Sequence, residues 1–194
     1  MEKGIKNLLG DIAYKCICNK LSFNLEYAKV VDVMEFPCSG FFDEKALVVA
    51  TNKRNKIDWA GTVIHESCHL DQYLEKSAVY LKGDKGLLVV EDWIQGKQHN
   101  NKKAKIAFLD TVHMELDCEI RSVKKFKKYK IKFNETEYIK QANAYLYSYV
   151  YGYLNKKWYP TPYEKSIIVK NMPVKFKKPV EYFTDFYSVE KYYK

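Results

Sequence analysis

The sequence contains His-Glu-x-x-His at residues 65–69, with His65, Glu66 and His69 at the defined positions. Residues four apart lie on one face of an α-helix, about one turn from each other, so His65 and His69 can direct two imidazoles towards one point. Glu66 lies about 100° further round the helix, close enough to reach a water held at that point. The pattern predicts two metal ligands and a general base.

Zinc is the metal that best suits this pair of imidazoles. It binds neutral imidazole nitrogen at about 2.0 to 2.1 Å, and its catalytic sites are tetrahedral with one position left for water. Binding lowers the pKa of that water from ~15.7 to about 7, and Glu66 is the expected acceptor of its proton. Two of the four histidines in the chain lie in this motif. This favours a metal site over two ordinary polar residues on a helix.

A catalytic zinc ion usually has three protein ligands, so a further ligand must come from elsewhere in the chain. Glu75 has the spacing of the metzincin motif, but Gln72 replaces the glycine of that motif. An unbroken helix would also turn residue 75 about 240° away from His69. His113 is a second candidate, although a lone histidine on a partly buried helix is more often a packing residue.

Glu115 is the best candidate, and it is followed one helical turn later by Glu119. The two share a helix face with Val112, and neighbouring carboxylates repel unless a cation or a proton neutralises one of them. The alternative is a solvated acidic patch that balances Arg121 and Lys124.

The two segments together resemble the zincin metallopeptidases, specifically the gluzincin and minigluzincin type. In those proteins one helix bears His-Glu-x-x-His, and a later helix bears Glu-x-x-x-Asp, whose Glu completes the zinc site. The resemblance implies that His65, His69 and Glu115 are ligands, that Glu66 is the base, and that Glu119 hydrogen-bonds a ligand histidine. Glu119 is one methylene longer than the Asp of the family, which leaves open whether it is itself the ligand. The resemblance covers roughly residues 40 to 125 and implies hydrolysis of an amide bond in a peptide or protein.

Hydrophobic periodicity predicts the helices that carry these residues. Apolar residues recur at helical spacing over residues 2–20, 59–75, 103–129 and 135–154. Asp58 is the expected N-cap of the second helix, and Asn134 opens the fourth with a sequence resembling a capping box. The alternating tyrosines of residues 145–153 also fit a strand, but the length and the cap favour a helix.

Strand-like runs at residues 25–36, 41–42 and 47–50 predict a small sheet before the metal helix. Gly83, Gly86 and Gly96 punctuate residues 76–103, where residues 98–101 resemble a loop, and a cleft wall, a lid and a plain connection all fit this segment. A short helix is expected at residues 163–170, after which Pro173 and Pro179 argue against long elements. The expected fold is α+β and zincin-like, with the small sheet preceding the metal helix and two further long helices following it.

Length and composition predict one domain over residues 1–194, ending in an aromatic and lysine-rich extension of about 30 residues. No apolar run approaches ~18 residues, and the start lacks a signal peptide, so we expect a cytoplasmic protein with no membrane partner. The abundance of Lys, Asn and Tyr fits a coding bias towards A and T, which is frequent in phage genomes. If a phage encodes this chain, the expected compartment is the host cytoplasm. The five cysteines are scattered and odd in number, which favours reduced thiols.

The formal charge of +9 comes almost wholly from lysine, since Arg54 and Arg121 are the only arginines. Lysine supplies unspecific phosphate attraction, so this composition only weakly supports a nucleic-acid partner. The lysines between residues 124 and 132 fit a solvated helix end better than a phosphate-binding surface. The alternative function is a non-catalytic protein on the same scaffold that binds nucleic acid or a protein, such as a viral partner.

Overall fold

Helices make up most of the chain in the computed structural model, which describes residues 3–33, 36–52 and 56–194. The predicted α+β class is confirmed. The long helices are α1 (Lys3–Cys18), α2 (Lys56–Leu74), α3 (Ala78–Ile94), α4 (Asn101–Lys128) and α5 (Glu135–Asn155). The shorter ones are α6 (Ser166–Lys170) and α7 (Pro179–Val189), with 3₁₀ turns at Pro162–Glu164 and Glu190–Tyr193. The strands are β1 (Ser22–Glu26), β2 (Val31–Val33), β3 (Phe36–Cys38), β4 (Gly40–Phe42) and β5 (Ala46–Ala50).

The chain divides into two compact units. The first contains Met1–Ser77 and Cys118–Lys132, and the second contains Ala78–Asp117 and Phe133–Lys194. Helix α4 contributes to both units, and the expectation of one domain over residues 1–194 stays a prediction. Within the described ranges, no helix is both long and apolar enough to cross a lipid bilayer.

The small sheet of the first unit supports α2, the helix that carries His-Glu-x-x-His. Strand β5 lies between β1, to which it is parallel, and β4, to which it is antiparallel. Leu47 and Val49 of β5 are fully buried, and α2 contacts both β4 and β5. Gly40 allows this approach, because a Cβ there would lie 2.8 Å from Thr62 Cγ2. The predicted sheet before the metal helix is therefore present.

The strand expected over residues 25–36 is wrong in its extent. Strand β1 ends at Glu26, where its pairing with Ala50 also ends, and Ala28 N–H donates to the Glu26 carbonyl in a tight turn. The segment then returns as β2, which pairs only with β3. The β-branched composition indicated an extended conformation. It did not indicate where the strand loses its hydrogen-bonded neighbour, and a strand ends at that point.

The N-cap predicted at Asp58 is also wrong, because α2 begins at Lys56. A carboxylate is favoured both at the N-cap and within the first helical turn, so an acidic residue near a helix start does not locate the cap. The cap predicted at Asn134 is confirmed: its Oδ1 accepts from Glu137 N–H at 3.1 Å. The same segment is helical, which excludes the strand alternative for the tyrosines.

Residues 76–103 contain a long helix, α3, where no helix was predicted. Gly83 and Gly86 lie inside this helix and allow close packing on α4. A Cβ on Gly83 would lie 2.4 Å from Met114 Cβ, and one on Gly86 would lie 2.9 Å from the Ala107 carbonyl oxygen. Three long helices therefore follow α2, and not two. The glycines were read as turn formers, whereas here they replace side chains at a helix contact.

The C-terminal segment is part of the packed interior of the second unit. Pro179 is the first residue of α7, a position that suits proline because the first helical N–H has no partner within the helix. The expectation that proline argues against a longer element there was wrong for this reason. Tyr182 OH donates to Asn143 Oδ1 at 2.5 Å, and Tyr193 OH donates to the Ala144 carbonyl at 2.6 Å. Both tyrosines are almost fully buried.

Asp71 joins α1, α2 and α4 in the first unit. Its carboxylate accepts from Lys15 at 2.5 Å and lies 2.8 Å from Lys125 Nζ, which also donates to Ser67 Oγ. Burial alone would raise the pKa of Asp71, but Lys125 and then Lys15 outweigh it, so the pKa is lowered. The ionised carboxylate therefore stabilises the first unit.

We expect Asp71→Asn to lower the free energy of unfolding by about 2 kcal/mol at pH 7, because two ammonium groups lose their charged acceptor. Since the pKa is depressed in the folded state, the difference from wild type should be complete above the unfolded carboxyl value of about 3.9 and should shrink as the pH falls below it. Urea unfolding at several pH values measures this. Glu44→Gln, at an exposed carboxylate, is the matched control. An equal effect of both changes at pH 7 would contradict the assigned role.

Candidate metal centre

Helix α2 brings the two predicted histidine ligands together through their Nε2 atoms. His65 Nε2 and His69 Nε2 are 3.2 Å apart, with the two rings nearly perpendicular at an interplanar angle of 79°. His69 is 8 % exposed, and the residues that precede the two histidines, Ile64 and Cys68, are fully buried. The helix therefore places both imidazoles side by side.

The other ring nitrogen of each histidine has an oxygen partner. His65 Nδ1 lies 3.1 Å from Glu119 Oε1, and His69 Nδ1 lies 2.9 Å from Gln72 Oε1. A carboxylate and an amide oxygen accept hydrogen bonds, so this arrangement suits neutral rings that carry the proton on Nδ1. In that tautomer each Nε2 atom would offer a lone pair, and the two Nε2 atoms are 3.2 Å apart. Two lone pairs at this distance repel, and a cation between them removes the repulsion.

The spacing of the two Nε2 atoms fits zinc. Two nitrogen ligands at 2.0 to 2.1 Å from a tetrahedral ion lie about 3.3 Å from each other. The separation of 3.2 Å meets this requirement. Metal-ligating histidines also usually donate their other N–H to a carboxylate or a carbonyl oxygen, which fixes the tautomer and the ring orientation. His65 and His69 meet that condition as well.

Gln72 and Cys118 belong to this site, and sequence reasoning had assigned neither a role in it. Gln72 is fully buried one turn after His69. This spacing, which places the two side chains next to each other on one helix, was the signal in the sequence that could have identified Gln72 as a partner of His69. Cys118 was expected only to be one of five reduced thiols, but its Sγ lies 3.5 Å from His65 Nδ1 and 3.2 Å from the His65 carbonyl oxygen. Its position immediately before Glu119 on α4 was the only pointer.

Among the described residues, one group of side chains has ligand atoms close enough to share a metal ion: His65, His69 and Cys118, with these atoms all within 4.8 Å of one another. This grouping makes Cys118 a candidate ligand beside the predicted carboxylates. Its thiol, however, lies near Nδ1 of His65, whereas His69 lies near Nε2.

A second buried thiol, Cys68, lies beside this group. It is 3.5 Å from Ser122 Oγ, which donates to the Cys118 carbonyl. Burial opposes ionisation of Cys68, but hydrogen bonding with Cys118 and the charge of Lys125 outweigh it, so the pKa of Cys68 is lowered to about 6. None of the five cysteines, all of which the structure describes, forms a disulfide bond.

Glu66, the predicted base, is 8 % exposed and follows His65 directly on α2. On this helix its side chain leaves the axis about 100° from that of His65. The role of Glu66 as a general base stays a prediction.

The alternative third ligands have different surroundings. Glu75 is on the surface, where both its oxygens accept from Arg121 Nη1 at 2.8 and 3.0 Å. His113 is exposed on α4. Glu115 lies in the second unit, 5 % exposed, and its Oε1 accepts from Tyr149 OH at 3.2 Å. Its role as the third ligand stays a prediction.

No family model matches the chain, and comparisons with curated proteins and with solved structures also give no match. The resemblance to zincins therefore stays an expectation from the residues of the motif.

Proposed function

We propose that this protein is a zinc-dependent metallohydrolase that cleaves amide bonds in peptides or proteins. The observation that carries the proposal is the pair of Nε2 atoms 3.2 Å apart, each on a ring whose Nδ1 already has an oxygen acceptor. In this arrangement the two Nε2 atoms lie side by side, where each could offer its lone pair to one metal ion. A metal cation is the ligand that this chemistry fits.

The chain's own residues have distinct parts in this proposal. His65 and His69 hold the ion, while Glu119 and Gln72 orient the two rings from the Nδ1 side. A bound zinc ion supplies Lewis acidity and lowers the pKa of a water at the site to about 7. Glu66 accepts the proton from the attacking water and can return it to the leaving amine. Peptidase specificity follows from the resemblance to zincins, with Glu115 as the predicted third ligand.

Glu66→Gln should reduce hydrolysis of a quenched fluorescent peptide library by about 10²- to 10⁴-fold, because an amide cannot accept the proton. The zinc content, measured by inductively coupled plasma mass spectrometry, should remain that of the parent. Glu44→Gln is the control for a carboxylate-to-amide change on the surface. Full activity of the Glu66 variant would show that Glu66 is not the base. Loss of zinc from this variant would show that Glu66 supports the metal site and is not only a base.

The purified protein should bind about one equivalent of zinc, and His69→Ala should abolish this binding, because two imidazoles are the core of the site. Glu115→Gln, Cys118→Ser and Glu119→Gln then identify the third ligand. Removal of a ligand should abolish stoichiometric binding, whereas removal of an orienting partner should weaken affinity about 10- to 100-fold. Absence of zinc binding by the parent protein would refute the metallohydrolase. If only the Cys118 variant loses zinc, the third ligand is Cys118 and not Glu115.

Gln72→Leu should weaken zinc affinity about 10- to 100-fold, because His69 Nδ1 loses its acceptor while the side-chain volume changes little. Gln72→Glu should retain or strengthen binding, since a carboxylate also accepts from Nδ1. Competition with a chromophoric chelator gives the affinities, and thermal unfolding of the metal-free proteins monitors folding. The exposed Gln98 offers the control Gln98→Leu. Equal affinity for Gln72→Leu and wild type would show that the amide does not orient His69.

A further inference from the structure

A basic cleft lies in the first unit, between the outer face of α1 and the end of α4. Its volume is about 860 Å³, and its walls include Lys3 and Lys6 of α1 together with Lys128 and Lys130. The α1 residues of the cleft lie on the face opposite the buried Ile5, Leu8 and Ile12. The sequence placed lysines 128 and 130 at a solvated helix end. The structure adds two further lysines from a distant part of the chain.

Gly4 allows these two segments to meet. A Cβ at this position would lie only 2.2 Å from the Tyr129 carbonyl oxygen and 3.2 Å from Ile131 Cγ1. With glycine there, the first turn of α1 packs directly on the backbone that follows α4. Gly10 also lines the cleft. A Cβ built on Gly10 would have no neighbouring atom within 4 Å, so the cleft is open at this residue.

The positive charge of the cleft is only partly neutralised. Asp11 is its single acidic side chain, and this carboxylate accepts from Tyr129 OH at 2.5 Å and lies 4.0 Å from Lys128 Nζ. Over residues 3–33, 36–52 and 56–194, no carboxylate pairs with Lys3, Lys6 or Lys130. Like charges around one cleft repel each other, and salt only partly screens this repulsion over distances near the Debye length of about 8 Å. A multivalent anion in the cleft relieves that repulsion.

We propose that this cleft binds the phosphodiester backbone of a nucleic acid without reading its sequence. Lysine is a flexible point charge that attracts phosphate and lacks the planar fork with which arginine reads bases. Tyr129 is the only aromatic residue of the cleft, and its ring is already covered by Lys128 Nζ, 4.8 Å from the centroid. The ring is thus not available as a stacking platform for bases.

A nucleic acid fits this charge distribution better than an acidic peptide does. A duplex carries one negative charge per ~1.7 Å of its axis. An extended peptide places successive side chains about 3.3 Å apart and on opposite faces. Four lysines around one cleft therefore meet more charge on a nucleic acid backbone. This inference goes beyond the proposed hydrolase and does not depend on it.

The test is fluorescence anisotropy of the full chain with a fluorescein-labelled 20-nucleotide single strand and its duplex, between 50 and 200 mM salt. Lys6→Ala/Lys130→Ala should weaken binding about tenfold at the lowest salt and should reduce the slope of log K against log salt by about 2. Lys82→Ala/Lys85→Ala removes the same charge from exposed positions of the second unit and should leave binding near wild type.

Three results would overturn the proposal. The first is an absence of binding by wild type at 50 mM salt. The second is an equal loss of affinity in both double variants, which would reduce the effect to net charge. The third is displacement of the labelled strand by poly-glutamate as effectively as by unlabelled nucleic acid at equal charge, which would identify a general polyanion surface. Circular dichroism of both variants confirms that these exposed substitutions leave the fold intact.

Discussion

The site depends on two imidazole nitrogens of helix α2 that lie 3.2 Å apart. A helix can place His65 and His69 on one face, but each ring can still turn about its own side-chain bonds. The partners at Nδ1 remove that freedom, and they come from two places. Gln72 belongs to α2 itself, whereas Glu119 is contributed by α4. The arrangement therefore requires the packing of these two helices within the first unit.

The polarity of this region is unusual for a helix interface. Glu66, His69, Gln72 and Glu119 are all at most 8 % exposed. Burying a polar or charged group is costly unless it is hydrogen-bonded or paired, and two carboxylates increase that cost. A structural core would be more stable with apolar residues at these positions. The occurrence of four buried polar residues at one site is the pattern expected of a site that binds a ligand.

Helices α3, α5 and α7 show where local rules of sequence reading succeed or fail. The Asn134 cap was predictable because capping involves only the residues of one turn. Helix α3 was missed because Gly83 and Gly86 serve contacts with α4, and nothing in the local sequence distinguishes a packing glycine from a turn glycine. At α7, Pro179 was taken as a helix breaker although it is also the preferred first residue of a helix. Each error came from a residue with two structural uses.

The sequence by itself determined the residues of α2 that face a common point, because His65, Glu66 and His69 are related by the fixed geometry of one helix. It also determined the α+β class and the presence of α1, α4 and α5, since their periodicity is local. The resemblance to zincins implied a contact between Glu119 and a histidine of the motif. Only the tertiary structure decided that this histidine is His65 and that Cys118 lies beside it. The cleft that Lys3 and Lys6 share with Lys128 and Lys130 was also decided by the tertiary structure. Those pairs are more than fifty residues apart, and their proximity is set by how the helices pack, which periodicity along the chain does not specify.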